Sequence, residues 1–277
     1  MLDYGFQRHM TPTLGPDDAF GNVDVHCHAL PGMDDGPATL EDAVALLEMA
    51  AEDGTTHLVA TPHSNYQFLY VPERIAQERA RLQTLIGDRL QILIGCDFHL
   101  SYENIQDALA HPRKYTVNGS RYLLVEFAQH FSMDALEGVL DQLLRAGLIP
   151  ILTHPERNPV FQEHPDLAPR YIRLGCVTQV TASSFTGDFG KRAQKMAESM
   201  LAENLIHVVA SDGHSASKRR PRLSGAAALI AERQNEERSI ALIRDNPRAM
   251  ILDLPLPYHP KPPKPKPKSA FWSLLKG

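Results

Sequence analysis

VDVHCHALPGMDDG, from Val23 to Gly36, opens as a short β-rich run and closes on two carboxylates and a glycine. Residues two apart along a strand point to the same side, so His26 and His28 converge on one point while Cys27 faces the opposite packing. An HxH pair alone is a weak mark of a metal. Its weight comes from what recurs downstream.

Six further β-rich runs follow: HLVATPH (His57 to His63), QILIGCDF (Gln91 to Phe98), YLLVEFA (Tyr122 to Ala128), IPILTHPE (Ile149 to Glu156), CVTQVTAS (Cys176 to Ser183) and HVVASDGH (His207 to His214). Stretches with helical periodicity separate them, among them TLEDAVALLEMAAEDG, PERIAQERARLQTLIG, MDALEGVLDQLLRAG and GKRAQKMAESMLAEN. Seven near-continuous apolar strands alternating with amphipathic helices mean parallel strands buried on both faces. The polar residue at each strand end sets a ruler. From His26 to His63, Asp97, Glu126, His154 and Asp212 the steps are 37, 34, 29, 28 and 58 residues. The last step is double, which leaves room for the CVTQVTAS unit without a marker. Units of about thirty residues around a closed sheet predict an α/β fold, a distorted TIM-like (β/α)7 barrel with its chemistry at the carboxyl ends of the strands.

Any one of these end residues would as readily cap a helix or satisfy a backbone group. Eight histidines and carboxylates at one edge of a barrel are harder to explain so, because buried charges need compensation. Divalent cations supply it. Imidazole and carboxylate without thiolate suit Mn2+, Fe2+ or Zn2+, and with Asp34 and Asp35 the donors suffice for two or three ions. Close-set cations polarise phosphoryl oxygens and activate a water, so a phosphate ester is the expected substrate. Phosphoryl transfer also calls for guanidinium clamps. Arg157, three residues past His154, and one arginine from the cluster Lys218, Arg219, Arg220 and Arg222 are placed to provide them.

In this order, HCHALPGMDDG, ATPH, GCDF, VEFA, THPER and ASDGH resemble the polymerase and histidinol phosphatase (PHP) superfamily, specifically its bacterial metal-dependent tyrosine phosphatases of capsule and exopolysaccharide regulation. The resemblance runs from about Val23 to Ile251 and implies the PHP barrel fold. It implies a trinuclear site: His26, His28, Asp97 and Asp212 on one ion, Asp97, Glu126 and His154 on a second, and Asp35, His63 and His214 on the third. Asp34 would orient a ligand. The phosphate-binding arginines would be Arg157 and Arg220. Asp97 stands where the family usually has glutamate, one methylene longer. The implied substrate is a phosphotyrosine protein, the cytoplasmic tail of an autophosphorylating tyrosine kinase governing polysaccharide synthesis. A small-molecule phosphoesterase such as a histidinol-phosphate phosphatase, or a scaffold with a degenerate metal site, are the alternatives.

Composition excludes other classes. With 43% hydrophobic and 22% charged residues the chain is globular, and no apolar run approaches the ~20 residues that span a bilayer. The first twenty residues carry no signal-peptide pattern, so a cytoplasmic location is expected. The net charge is −5, but five lysines and no acid from Leu256 onward leave the first 255 residues at −10, a poor fit to nucleic acid. A thiol phosphatase needs an arginine six residues after its cysteine. After Cys27, Cys96 and Cys176 that position holds Met33, Tyr102 and Ala182. GDFGKR (Gly187 to Arg192) lacks Walker spacing and reads as part of a helical run.

The expected organisation is an N-terminal extension over 1–20, the phosphatase barrel over 21–255 and a Pro/Lys-rich tail over 256–277. The tail reads as an extended polyproline stalk ending in an apolar tip with Phe271, Trp272, Leu274 and Leu275. Peripheral docking to a membrane or to the cognate complex is the function considered for it.

Overall fold

Short runs of β-branched and apolar residues pair here in parallel, as strands buried on both faces must. The computed structural model describes residues 20–127 and 133–262. The expected N-terminal extension up to residue 19, Ala128 at the end of the fourth expected strand, and the apolar tip of the tail lie outside the described residues.

The strands are β1 (Asn22–Cys27), β2 (Thr55–Ala60), β3 (His63–Ser64), β4 (Gln91–Ile94), β5 (Asp97–His99), β6 (Tyr122–Glu126), β7 (Ile149–Thr153), β8 (Val177–Thr181) and β9 (Val208–Ala210). Each of the seven expected strands is present, and the second and third are each broken in two. One break falls at Thr61–Pro62, where proline has no N–H to give the ladder, and the other at Gly95–Cys96. The breaks divide the hydrogen bonding into a sheet of order β1-β2-β4 and one of order β3-β5-β6-β7-β8-β9. All pairings are parallel.

The ring closes between β9 and β1. Asp212 N–H donates to the His26 carbonyl and His28 N–H to the Gly213 carbonyl, each at 2.8 Å. Asp24, fully buried, reinforces the seam by accepting from the Ser211 hydroxyl (2.5 Å) and the Ser211 N–H (3.0 Å). The result is the distorted seven-unit barrel that the spacing predicts.

Helices cover the outside. Those that bear on the site are α1 (Leu40–Glu52), α2 (Pro72–Ile86), α3 (Tyr102–Ala110), α4 (Met133–Arg145), α5 (Pro159–Glu163), α6 (Leu167–Leu174), α7 (Ala182–Thr186), α8 (Gly190–Ala202), α9 (Ser224–Arg233), α10 (Glu236–Ile240) and α11 (Asn246–Ile251). Strand alternation fixes which side chains face inward. Leu124, Val177 and Ala210 share a core cluster with Met250 and Ile251 of α11, and each precedes an inward polar residue, Glu126, Gln179 or Asp212, by two positions. The opposite parity, Leu123, Val125, Leu152, Val180 and Val209, packs against the helices. The barrel is thus plugged with apolar side chains below and turns polar only at its carboxyl mouth.

Two local findings refine the expectations. Helix α8 begins at Gly190, so Gly187, Asp188 and Phe189 form the turn ahead of it and not part of the helix. Leu256 is buried in the inner cluster and Tyr258 N–H donates to Asn246 Oδ1 at 3.0 Å, so the packed chain runs past residue 255.

Candidate metal centre

Each strand end delivers one or two donors to the mouth. On β1, His26 and His28 are both fully buried, while Cys27 turns its thiol to the Gly213 carbonyl at 3.4 Å. The two imidazoles are oriented through their Nδ1 atoms. His26 Nδ1 lies 3.0 Å from Gln179 Oε1 on β8, and His28 Nδ1 lies 2.7 Å from Asp34 Oδ2. Both Nε2 atoms are left to face one another at 3.3 Å, with Asp212 Oδ1 at 3.5 Å from each. Fixing one ring nitrogen to aim the other is how ligating histidines are held.

Asp97, also fully buried, is the hub. Its Oδ2 lies 3.2 Å from His63 Nδ1, 3.6 Å from His26 Nε2 and 3.9 Å from His28 Nε2. Neither of its oxygens accepts a hydrogen bond. His63 reaches in two directions, with Nδ1 also 3.5 Å from Glu126 Oε2 and Nε2 3.4 Å from Asp35 Oδ1. His214 Nε2 lies 3.3 Å from the same Asp35 oxygen, and its Nδ1 is held by the Asp212 carbonyl at 2.9 Å. His154 Nε2 completes the web 3.9 Å from Glu126 Oε1. All nine expected donors therefore meet at one mouth.

The loop carrying Asp34 and Asp35 is pressed close. A Cβ on Gly36 would stand 2.5 Å from the His28 carbonyl oxygen, so only glycine permits this approach. Two donors leave their strands in left-handed backbone, His154 at φ 33° and Asp212 at φ 51°. Such conformations are costly for non-glycine residues and collect at functional sites.

Electrostatics divide the donors. Burial opposes charge on His26, yet Asp97 and Asp212 outweigh it and push its imidazole up to about 9. His63 follows the same logic, pushed up to about 11 against burial by Asp35 and Asp97. Burial prevails at His28, lowered to about 4, and at His154, lowered to about 3 by burial and then Arg157. Burial, then Asp97, raises Glu126 to about 7. Hydrogen bonds from His214 and His63 hold Asp35 below the usual carboxylate range. This donor set fits divalent cations. Three groups have ligand atoms all within 4.8 Å of one another: His26, His28 and Asp97; His28, Asp35, His63 and His214; and His63, Asp97 and Glu126. The buried oxygens of Asp97, which accept no hydrogen bond, are what a cation would take up.

Arginines stand on one side. Arg157 and Arg219 both reach Asp212 Oδ2. Their guanidinium carbons lie 3.9 and 5.9 Å from the Phe189 ring centroid. Arg220, the position implied for the second phosphate contact, is exposed and donates its Nε to the Ser217 carbonyl at 3.0 Å. Of the basic cluster, Arg219 is the member that reaches the site. The turn explains why. His214 and Ser215 N–H groups both bind the Arg219 carbonyl, and Pro221 packs against Gly213, so neighbouring side chains at 219 and 220 point apart. Gln179 and Phe189 were not legible as site residues. A neutral amide in the unmarked strand and an aromatic ahead of a helix carry no metal or phosphate signature.

The cysteines are no nucleophiles here. All three are buried, and burial pushes Cys27 and Cys96 well up and Cys176 to about 12.

Comparison with known proteins gives consistent findings. The family model described as capsular polysaccharide synthesis, CpsB/CapC, matches residues 22–252. The tyrosine-protein phosphatase CpsB of Streptococcus pneumoniae is 30% identical over 240 residues, covering 83% of this chain and 98% of that protein. The putative tyrosine-protein phosphatase CapC of Staphylococcus aureus is 33% identical over 203 residues, 71% of this chain and 78% of that protein. Among solved structures, one from the pair YwqE of Bacillus subtilis and CpsB of Streptococcus pneumoniae, described as metal-dependent tyrosine phosphatases, superposes with a TM-score of 0.80 at 28% identity. It covers 88% of this chain and all of that one.

Proposed function

Because the chain belongs to the capsular polysaccharide synthesis family CpsB/CapC, we propose that it is a metal-dependent protein-tyrosine phosphatase acting in capsule or exopolysaccharide synthesis. The observation that carries the reading is the convergence of five imidazoles and four carboxylates at the barrel mouth beside two arginines that share Asp212.

In this reading His26, His28, Asp97 and Asp212 would hold one cation. Asp97, Glu126 and His154 would hold a second, and Asp35, His63 and His214 a third. Bound there, divalent cations supply Lewis acidity at the phosphoryl oxygens and a water of lowered pKa. Gln179 and Asp34 keep the Nε2 atoms of His26 and His28 aimed inward. Arg157 and Arg219 neutralise the phosphoryl oxygens, and Phe189 supports both guanidiniums from below. The leaving group is a phenol of pKa about 10, which needs less protonic help than an alkyl alcohol.

Mn2+ is the proposed native ion, on the donor chemistry of imidazole and carboxylate without thiolate. The proposed substrate is the tyrosine-phosphorylated tail of a kinase of polysaccharide synthesis, met in the cytoplasm. No helix among the described residues is long and apolar enough to cross a membrane. Release of phosphate from a phosphotyrosine peptide, with and without chelator, tests the activity. Wild type should lose hydrolysis in EDTA and regain it with Mn2+, and His154→Ala should remain at least about 100-fold down after reconstitution. Full activity in EDTA would end the proposal.

A further inference from the structure

Between β3 and α2 the chain reads SNYQFLYV, Ser64 to Val71, without a single charge. The segment is firmly built. Asn65 Oδ1 accepts from the N–H groups of Gln67 (2.9 Å) and Phe68 (3.0 Å), and Asn65 N–H donates to the Phe68 carbonyl at 2.9 Å. Phe68 turns inward, its ring nearly parallel to the His63 imidazole at 6.1 Å and 15°. Tyr70 also turns inward, its hydroxyl donating to the Gly95 carbonyl at 3.3 Å and its ring 5.0 Å from Tyr115. Left outside are Tyr66, 90% exposed, and Leu69, 75% exposed. In the first turn of the neighbouring helix α3, Tyr102 is 74% exposed. Asn104, in the same turn, ties the start of α3 to the ends of β3 and β5, donating to the Ser64 carbonyl at 2.7 Å and the His99 carbonyl at 2.9 Å.

Tyr66, Leu69 and Tyr102 are the most exposed large apolar side chains among the described residues; Tyr66 and Leu69 stand on the loop that follows the ligand strand β3, and Tyr102 opens helix α3 just after the ligand strand β5. Single exposed apolar residues are ordinary, but a cluster on a preorganised rim marks a contact surface and lowers the entropy cost of binding there. The far rim, at the ends of β7 and β9, is cationic, with Arg157 and Arg219 at the site and Lys218, Arg220 and Arg222 beyond. A ligand matching both rims carries an anion at the arginines and apolar groups on the other side. Three side chains are too small a patch for a stable dimer, which buries about 1,200 Å² or more in total. A peptide chain advances about 3.3 Å per residue when extended, so residues beside a phosphotyrosine seated in the mouth come to lie over its rim.

We infer that residues 65–71, with Tyr102, form a specificity element that binds apolar residues flanking the phosphotyrosine of a peptide substrate. The inference rests on the phosphatase reading of the site. Its test compares wild type with a Tyr66→Ser/Leu69→Ser double variant, both loaded with Mn2+. Three substrates are used: a phosphotyrosine peptide with leucine and tyrosine flanks, the same peptide with serine flanks, and p-nitrophenyl phosphate. Affinity for a non-hydrolysable phosphonate form of the first peptide is measured in parallel. The variant should raise KM for the apolar-flanked peptide about tenfold and weaken the phosphonate to match, with kcat and p-nitrophenyl phosphate turnover within about twofold of wild type. Equal losses on all three substrates, or no loss on any, would overturn the inference while chelator-sensitive p-nitrophenyl phosphate hydrolysis left the site reading standing. An unchanged peptide KM with reduced binding to anionic vesicles, or with reduced self-association, would assign the patch to a membrane or to a second copy and overturn it too. Wild type inactive on every substrate and blind to the phosphonate would remove the site reading itself, and the inference with it.

Discussion

Arg219 and Arg220 are adjacent in sequence and opposite in placement. Arg219 sits on Asp212 above Phe189, while Arg220 lies exposed against the Ser217 carbonyl. Composition and spacing mark the cluster as basic, but which member reaches the site depends on the turn between His214 and Pro221, and no residue type in that turn announces its geometry. Removing a preorganised charge donor to a transition-state oxyanion costs on the order of 100-fold or more. Arg219→Ala should therefore lower kcat/KM for p-nitrophenyl phosphate by about 100-fold, whereas Arg220→Ala stays within about twofold. Steady-state kinetics on the two variants decide it, and the reverse ranking would return the role to Arg220. At Asp97 a different lesson holds. The aspartate in place of the family's glutamate still comes within 4 Å of three imidazoles, because β5 resumes at this residue after the Gly95–Cys96 break and brings its backbone to the mouth.

At the scale of elements, the strands were legible because parallel strands buried on both faces are apolar without alternation, and the donors were legible because they interrupt that apolarity at its carboxyl end. The breaks at Thr61–Pro62 and Gly95–Cys96 carry only a weak mark in such apolar runs, the single residues Pro62 and Gly95. Gln179 escaped for a chemical reason: it acts by holding His26 Nδ1, and amides do that without any spacing rule. At the start of β9 lies a group outside the metal centre with its own consequence. His207 is buried, its Nδ1 accepts the Thr178 N–H at 3.1 Å, and burial together with His259 lowers it to about 3. The unfolded chain binds this proton near pH 6.5 and the folded chain only near 3, so between those values unfolding takes up a proton and stability falls as pH falls. Replacing His207 by Gln removes that uptake. Urea midpoints followed from pH 7 to pH 4.5 should decline less steeply for His207→Gln than for wild type, by about one proton in linkage slope. Identical slopes would show that His207 takes no proton on unfolding in this range.

For the molecule as a whole, the barrel's two ends divide the work. The lower interior is plugged by Leu124, Val177, Ala210 and Met250, which stabilise the fold by burial. The mouth concentrates acids and imidazoles that apolar packing cannot satisfy, and neither Asp97 oxygen accepts a hydrogen bond. Folding thus assembles a cation site from residues that span His26 to His214 in sequence, and no such site exists in the unfolded chain. A ligand that binds only the folded state stabilises it by mass action, about 2.7 kcal/mol at a hundredfold excess over Kd. For a domain of this size that amounts to a rise in Tm of roughly 5–10 °C. Thermal unfolding of chelator-treated protein should therefore shift upward on adding Mn2+, and Asp97→Asn should lose most of the shift because its carboxylate adjoins two of the three donor groups. The variant also separates two sources of stabilisation. Asparagine keeps the size of aspartate but not its charge, so the apo variant should melt below the apo wild type, since the His26 and His63 imidazoles that Asp97 holds protonated lose their counter-charge. A Tm insensitive to Mn2+, Fe2+ and Zn2+ alike in the wild type would mean that the mouth binds none of the cations its donors suit, and the phosphatase reading would lose its physical basis however many strands and helices match the family.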